Sequence, residues 1–150
     1  MTSTTTFSGA CHCGNLSLRL EATRPAAELP VRLCGCTFCA RHQPRYTSDP
    51  QGRVTVQVAD EALLARYRFG LGLADFLLCK RCGVFVAAFE PGDADASTGR
   101  AVVNFNVLAQ AAEFTAAPVR TDYDAEDATA RRARRARAWT PAVVRSGPAR

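Results

Sequence analysis

Strict alternation of apolar and polar side chains marks two segments of the chain. Leu16-Ser17-Leu18-Arg19-Leu20 and Val54-Thr55-Val56-Gln57-Val58 repeat with the two-residue period of strands that turn one face to a core. Two further runs, 84–89 and 102–107, are rich in β-branched and aromatic residues. Pro91, Gly92 and Gly99 separate them, which suits an antiparallel pair with a longer connection. Residues 63–69 add one more expected strand. Few segments long enough for a packed helix keep a 3.6-residue apolar rhythm, so a mostly-β architecture with long loops is expected. The exception is 124–139, where acidic residues come first and arginines last, as the helix dipole favours. A short C-terminal helix is expected there. After Pro141 the segment ending Ser146-Gly147-Pro148-Ala149-Arg150 reads as poorly ordered.

At 150 residues and 47% hydrophobic composition, the chain has enough apolar surface for one core, and no internal repeat divides it. Met1 to Thr6 contains neither a charged leader segment nor an apolar one. No run approaches the roughly 18 apolar residues of a bilayer span. A cytoplasmic protein without membrane attachment is therefore expected. The formal charge of +5 rests on 19 basic residues, only one of them a lysine, Lys80. Five arginines crowd into 131–137, a run that could grip phosphates or serve as a solvated helix face. The alanines between them give no aromatic platform for bases, which favours the solvated face.

Seven cysteines change the picture more than the charge does. An odd number cannot pair fully, and the C-x-C and C-x-x-C spacings are those of metal sites rather than of a disulfide framework. Cys11-His12-Cys13, followed by Gly14, places two thiols two residues apart, half of a tetrahedral site. Cys79-Lys80-Arg81-Cys82-Gly83 is a zinc-ribbon type of knuckle and supplies the other half. Cys11, Cys13, Cys79 and Cys82 together make a closed structural zinc site. Metal there closes a loop between strands far apart in sequence, so its loss is expected to unfold the protein.

Cys34-Gly35-Cys36-Thr37-Phe38-Cys39 places three thiols within six residues, enough to cap one face of a second zinc and leave its fourth position open. Three thiolates outweigh the zinc charge, so such a site suits an incoming thiol better than it suits making hydroxide. Two alternatives stay open. His42, three residues after Cys39, could close the sphere and make a second structural site, or the cluster could remain metal-free. His12 reads as a solvent-facing neighbour. Arg41, Lys80 and Arg81 flank the clusters, where they could lower thiol pKa values, receive a substrate carboxylate or simply be surface charge.

The combined pattern resembles the glutathione-dependent formaldehyde-activating family, also called the GFA or CENP-V family. The resemblance is carried by Gly9-Ala10-Cys11-His12-Cys13-Gly14, Cys34-Gly35-Cys36-Thr37-Phe38-Cys39 and Cys79-Lys80-Arg81-Cys82-Gly83, with Tyr67-Arg68-Phe69-Gly70 and Leu73-Ala74-Asp75-Phe76 between them. It is strongest over 7–108, which sets an expected zinc domain over 1–118 and a basic, helical and partly disordered tail over 119–150. The resemblance implies an Mss-type fold of twisted antiparallel sheets stapled by zinc. It also implies a structural four-cysteine site and a catalytic zinc held by Cys34, Cys36 and Cys39. Its chemistry is that of a carbon–sulfur lyase of the S-(hydroxymethyl)glutathione synthase type, acting on a glutathione-like thiol and a formaldehyde-like aldehyde. Thr37 stands where the family usually has serine, a hydroxyl either way.

Three functions are thereby set against one another. The first is an enzyme in which a zinc-held thiolate adds to a small aldehyde above Cys34, Cys36 and Cys39. The second is a non-catalytic zinc module that binds protein or nucleic acid through the arginine run. The third is a zinc or redox sensor whose three-cysteine cluster alternates between metallated and oxidised states.

Overall fold

The hub of the molecule is β9 (Thr98–Asn104), which is paired on both edges. The computed structural model describes residues 3–147. On one edge of β9 lies β8 (Phe85–Pro91), followed outward by β7 (Asp75–Cys79) and β6 (Leu64–Tyr67), all antiparallel. The other edge is shared end to end. Thr98 to Ala101 pair with β11 (Thr140–Ser146), while Val103 and Asn104 pair with β4 (Tyr46–Thr47). Beyond β11 come β5 (Arg53–Val58), β2 (Leu16–Ala22) and β1 (Thr5–Ala10). Beyond β4 come β3 (Arg32–Cys34) and β10 (Val119–Thr121). Two pairs, β11 with β5 and β10 with β3, are parallel, so the sheet is mixed where antiparallel strands were expected throughout.

Alternation does what the sequence pattern implies. Leu16, Leu18, Leu20 and Ala22 of β2 and Val54, Val56 and Val58 of β5 are buried on one face, each large side chain contributing about 1.5–3 kcal/mol of transfer free energy. They form the main core with Phe7, Leu77, Ala87, Phe89, Val103 and Phe105. A smaller core on the opposite side gathers Cys39, Tyr46, Phe85, Ala88, Val102 and Trp139. A register shift makes the second core possible. Leu77 pairs with Ala87 but Leu78 pairs with Phe85, leaving Val86 as an extra residue in β8. Such a bulge reverses the facing of the residues that follow, so Phe85 joins Ala88 in the smaller core although three positions separate them.

Two α-helices and four short 3-10 turns complete the described residues. The C-terminal one, α2, spans Ala128–Ala138, with Asp127 as its cap accepting from the Ala130 amide at 2.8 Å. The expected helix over 124–139 is thus present, beginning four residues later because Asp127 caps it. The short helix α1 (Thr37–His42) carries no apolar period and was not expected. Cys36 caps it, its Sγ accepting from the Cys39 amide at 3.4 Å, and Gln43 ends it with φ of 50°. No helix among the described residues is long and apolar enough to cross a membrane.

The expectation of a poorly ordered segment after Pro141, and of a partly disordered tail over 119–150, is corrected as far as Ser146. Thr140, Ala142 and Val144 are buried, and β11 lies between β5 and β9 inside the sheet. The cause is the same two-residue alternation seen in β2, here in a short stretch that includes Pro141. Residues 148–150 lie outside the described residues. The other expected strands hold with shifted ends: 63–69 becomes β6, and 102–107 stops at Asn104, where the chain enters a 3-10 turn over Phe105–Val107.

Candidate metal centres

Two groups of cysteines lie close enough to hold metal ions, and they are the two groups the spacing sets apart. Cys11, Cys13, Cys79 and Cys82 have sulfurs mutually within 4.8 Å, and so do Cys34, Cys36 and Cys39. All seven cysteines are free. In the first group Cys11 and Cys13 sulfurs are 3.8 Å apart and those of Cys13 and Cys79 are 3.5 Å apart. Those separations are far beyond a disulfide bond. They fit the edges of a tetrahedron with Zn–S bonds of about 2.3 Å, which are about 3.8 Å long. The donor set and its spacing suit zinc.

Both halves of this site are built alike. The Cys11 amide donates to the Leu16 carbonyl (2.9 Å) and the Cys79 amide to the Val84 carbonyl (3.1 Å), each closing a loop of the same size. Gly14 (φ 88°) and Gly83 (φ 78°) make the left-handed turns that bring the chain back, a conformation costly for other residues. The Leu16 amide donates to Cys11 Sγ at 3.3 Å. Burial pushes the Cys11 thiol up to about 11. Burial acts the same way on Cys82, but the backbone amides of Cys13 and Val84 and the neighbouring thiols overcome it and bring that thiol down to about 6. Cys82 is therefore a ready thiolate, and a divalent cation would draw Cys11 into the charged form as well.

The three-cysteine cluster sits against the smaller core. Cys34 ends β3, Cys36 caps α1 and Cys39 lies one turn along it, 2% exposed. A hydrogen bond from the Cys39 thiol, helped by the Cys36 amide and opposed by burial, lowers Cys34 to about 6. The same bond and burial push Cys39 far upward. Cys39 Sγ also lies 3.1 Å from the Tyr46 phenol oxygen. Burial, followed by the neighbouring thiols, holds that phenol well above its ordinary range. The cluster thus combines a thiolate at Cys34 with a protonated Cys39, an arrangement suited to metal uptake with loss of a proton.

His42 does not join this group. Its ring stacks on Phe38 at 4.4 Å between centroids and leans on Phe85 at 5.9 Å, in an aromatic set that also includes Tyr67, Phe69 and Phe76. The alternative in which His42 closes the sphere finds no support in this placement. His12 is exposed, as expected, and so are Arg41, Lys80 and Arg81. Arg41 donates to the Thr37 carbonyl of its own helix at 2.8 Å.

A cavity of about 80 Å³ opens beside the cluster, with Cys34 and Cys39 in its wall. Its remaining wall comes largely from residues that sequence reasoning did not place there: Arg32, Tyr46, Tyr123, Arg134, Arg135 and Trp139. The arginine-rich helix is therefore part of the site. Arg134 lies 3.4 Å above the Tyr123 ring and makes two hydrogen bonds to Glu126. Arg135 is buried, pairs with Glu90 at 2.9 Å and lies 4.4 Å over the Trp139 ring. Arg32 donates to Ser48 Oγ at 2.7 Å. One signal for Arg32 was available, because residues two apart on a strand share a face and Arg32 is two before Cys34.

Fold and sites together define a mostly-β protein with two cysteine groups arranged to bind metal. No known family model matches the chain. No curated protein matches it in sequence either. Among solved structures, it resembles a protein of Rhodobacter sphaeroides whose crystal structure was determined as a structural-genomics target. The two share 24% identity with a TM-score of 0.55, and the match covers 76% of this chain and 99% of that one. That likeness concerns the fold.

Proposed function

We propose that the protein is a zinc-dependent enzyme that forms or breaks a carbon–sulfur bond between a thiol and a small aldehyde, in the manner of an S-(hydroxymethyl)glutathione synthase. The observation that carries this reading is the three-cysteine cluster, with no histidine or carboxylate grouped with it among the described residues and a cavity at its side. Cys34, Cys36 and Cys39 would hold a zinc ion, which would supply a Lewis acid that favours an incoming thiol as its thiolate. Tyr46 holds Cys39 through its phenol and fixes that sulfur against the smaller core. Phe76, Val102 and Trp139 give the cavity an apolar side that limits water around the reacting atoms. In the addition the thiol S–H and one carbonyl C–O bond of the C=O pair break, an S–C bond forms, and the thiol proton ends on the former carbonyl oxygen. The closed site of Cys11, Cys13, Cys79 and Cys82 has a structural part, tying the loop before β2 to the turn between β7 and β8.

The alternative of a non-catalytic zinc module for protein or nucleic acid draws on the arginines of α2. Arg131 and Arg134 pair with Glu126 and Arg135 pairs with Glu90, which leaves Arg132 and Arg137 of that run exposed and without such a partner among the described residues. Two charges make a small phosphate footprint, so the enzyme reading is preferred. The test is exchange NMR of a thiol and formaldehyde at equilibrium with their adduct, which separates catalysis from the quick spontaneous addition. Exchange should rise in proportion to wild-type protein and fall to background with Cys36→Ser. Equal exchange with the two proteins would remove the enzyme reading.

A further inference from the structure

Three guanidinium groups line the cavity beside the three-cysteine cluster, and no carboxylate does. Two of the three are matched by acids behind the wall, Arg134 by Glu126 and Arg135 by Glu90. Arg32 is not. Its recorded partner is the neutral Ser48 hydroxyl, which itself donates to the Ala138 carbonyl, and no carboxylate pairs with it among the described residues. A half-buried guanidinium without an anion, next to a second cation, is an unfavourable arrangement unless an anion completes it. The room is small. About 80 Å³ of enclosed room, open to solvent on one side, takes a group of a few heavy atoms against Arg32.

We propose that this cavity receives a small carboxylate on the Arg32 guanidinium, so that one reactant at the three-cysteine site is an acid of two or three carbons. The inference rests on the carbon–sulfur reading of that site. It narrows the reading from aldehydes and thiols at large to a pair in which the carboxylate lies within a carbon or two of the reacting sulfur or carbonyl. A planar guanidinium suits a carboxylate because it offers two parallel N–H donors. Both reactants are possible carriers. An aldehydic acid and a mercapto acid would present the same group to Arg32.

Trp139 is the single tryptophan of the chain and lines the cavity, so its fluorescence reports occupancy without any turnover. Zinc-loaded full-length protein is titrated with glyoxylate and with mercaptoacetate, each compared with a neutral counterpart, glycolaldehyde and 2-mercaptoethanol. At least one acid should bind on the order of tenfold or more tightly than its neutral counterpart, as a charge-assisted pair warrants. Arg32→Gln should abolish that preference and Arg32→Lys should keep part of it, with zinc content and circular dichroism confirming the fold. Preference for glyoxylate assigns the carboxylate to the carbonyl partner, and preference for mercaptoacetate assigns it to the thiol. Equal binding of acids and neutral compounds by the wild-type protein overturns the proposal, whatever the variants do. So does a preference that survives Arg32→Gln in the folded protein. Because the titration needs no catalysis, acid binding through Arg32 without faster adduct exchange would remove the enzyme reading and leave the subsite standing. Faster exchange without acid preference would remove the subsite alone.

Discussion

Replacing Glu90 by leucine should cost more than any surface substitution in this chain. Glu90 lies in β8 and Arg135 in α2, 45 positions apart, with their charged atoms 2.9 Å apart and side chains 16% and 9% exposed. At an effective dielectric constant of about 20, opposite charges at that distance attract by about 6 kcal/mol, most of which offsets the loss of hydration. The net value of the pair is therefore modest, but the cost of leaving one partner behind is not. With Glu90→Leu, Arg135 keeps its charge in a buried position, with Nε already lacking a partner. Breaking a buried pair in this way costs about 3–5 kcal/mol. Glu90→Leu combined with Arg135→Met removes both charges and should return stability to within about 1 kcal/mol of wild type, since apolar replacements of buried pairs are often neutral. Urea unfolding at fixed, saturating zinc, followed by Trp139 fluorescence and far-UV circular dichroism, measures these two variants and Arg135→Met alone. A cost under about 1 kcal/mol for the single variant, or a double variant as unstable as the sum of its parts, would refute the claim that this pair is buried and coupled.

Three further outcomes are expected. Tyr46→Phe removes the phenol 3.1 Å from Cys39 Sγ and should leave the protein folded while weakening zinc binding at the three-cysteine site roughly 10- to 100-fold, as loss of an outer-shell partner does; competition with a chromophoric chelator reads it, and unchanged affinity would sink the positioning role. His42→Ala should leave zinc content unchanged by elemental analysis, because its ring stacks on Phe38 rather than meeting the thiols. A methyl group added by Gly99→Ala would clash with the Glu90 carbonyl oxygen, so the β8–β9 pair must shift at a cost of about 1–3 kcal/mol; an unchanged unfolding midpoint would contradict the close pairing.

The metal groups were legible because ligand spacing is a local property: two C-x-C or C-x-x-C pairs and one compact cluster need only short loops to converge. The alternating strands β2 and β5 were legible for the same reason, since one buried face imposes a period of two. The rest depended on contacts far apart in sequence. Val86 gives no local sign that it is the extra residue of a bulge, yet that bulge turns Phe85 toward the cluster. Thr140–Ser146 contains Pro141 and looked like a frayed end, and its order comes from β5 and β9 on either side. The arginines of α2 read as a solvated face because their partners, Glu90 and Glu126, belong to another strand and to the loop before the helix. Tyr46 and Trp139 join the site only once β4 and α2 are packed onto one face of the sheet.

Both cysteine groups are expected to hold metal, with the three-cysteine group dispensable for folding. Elemental analysis of protein purified without chelator, repeated after Cys36→Ser, addresses this most directly. Two zinc ions per chain falling to one, with the circular dichroism spectrum unchanged, is the expected result. One zinc ion in both proteins would mean that Cys34, Cys36 and Cys39 bind none, and the account of the open site would be wrong.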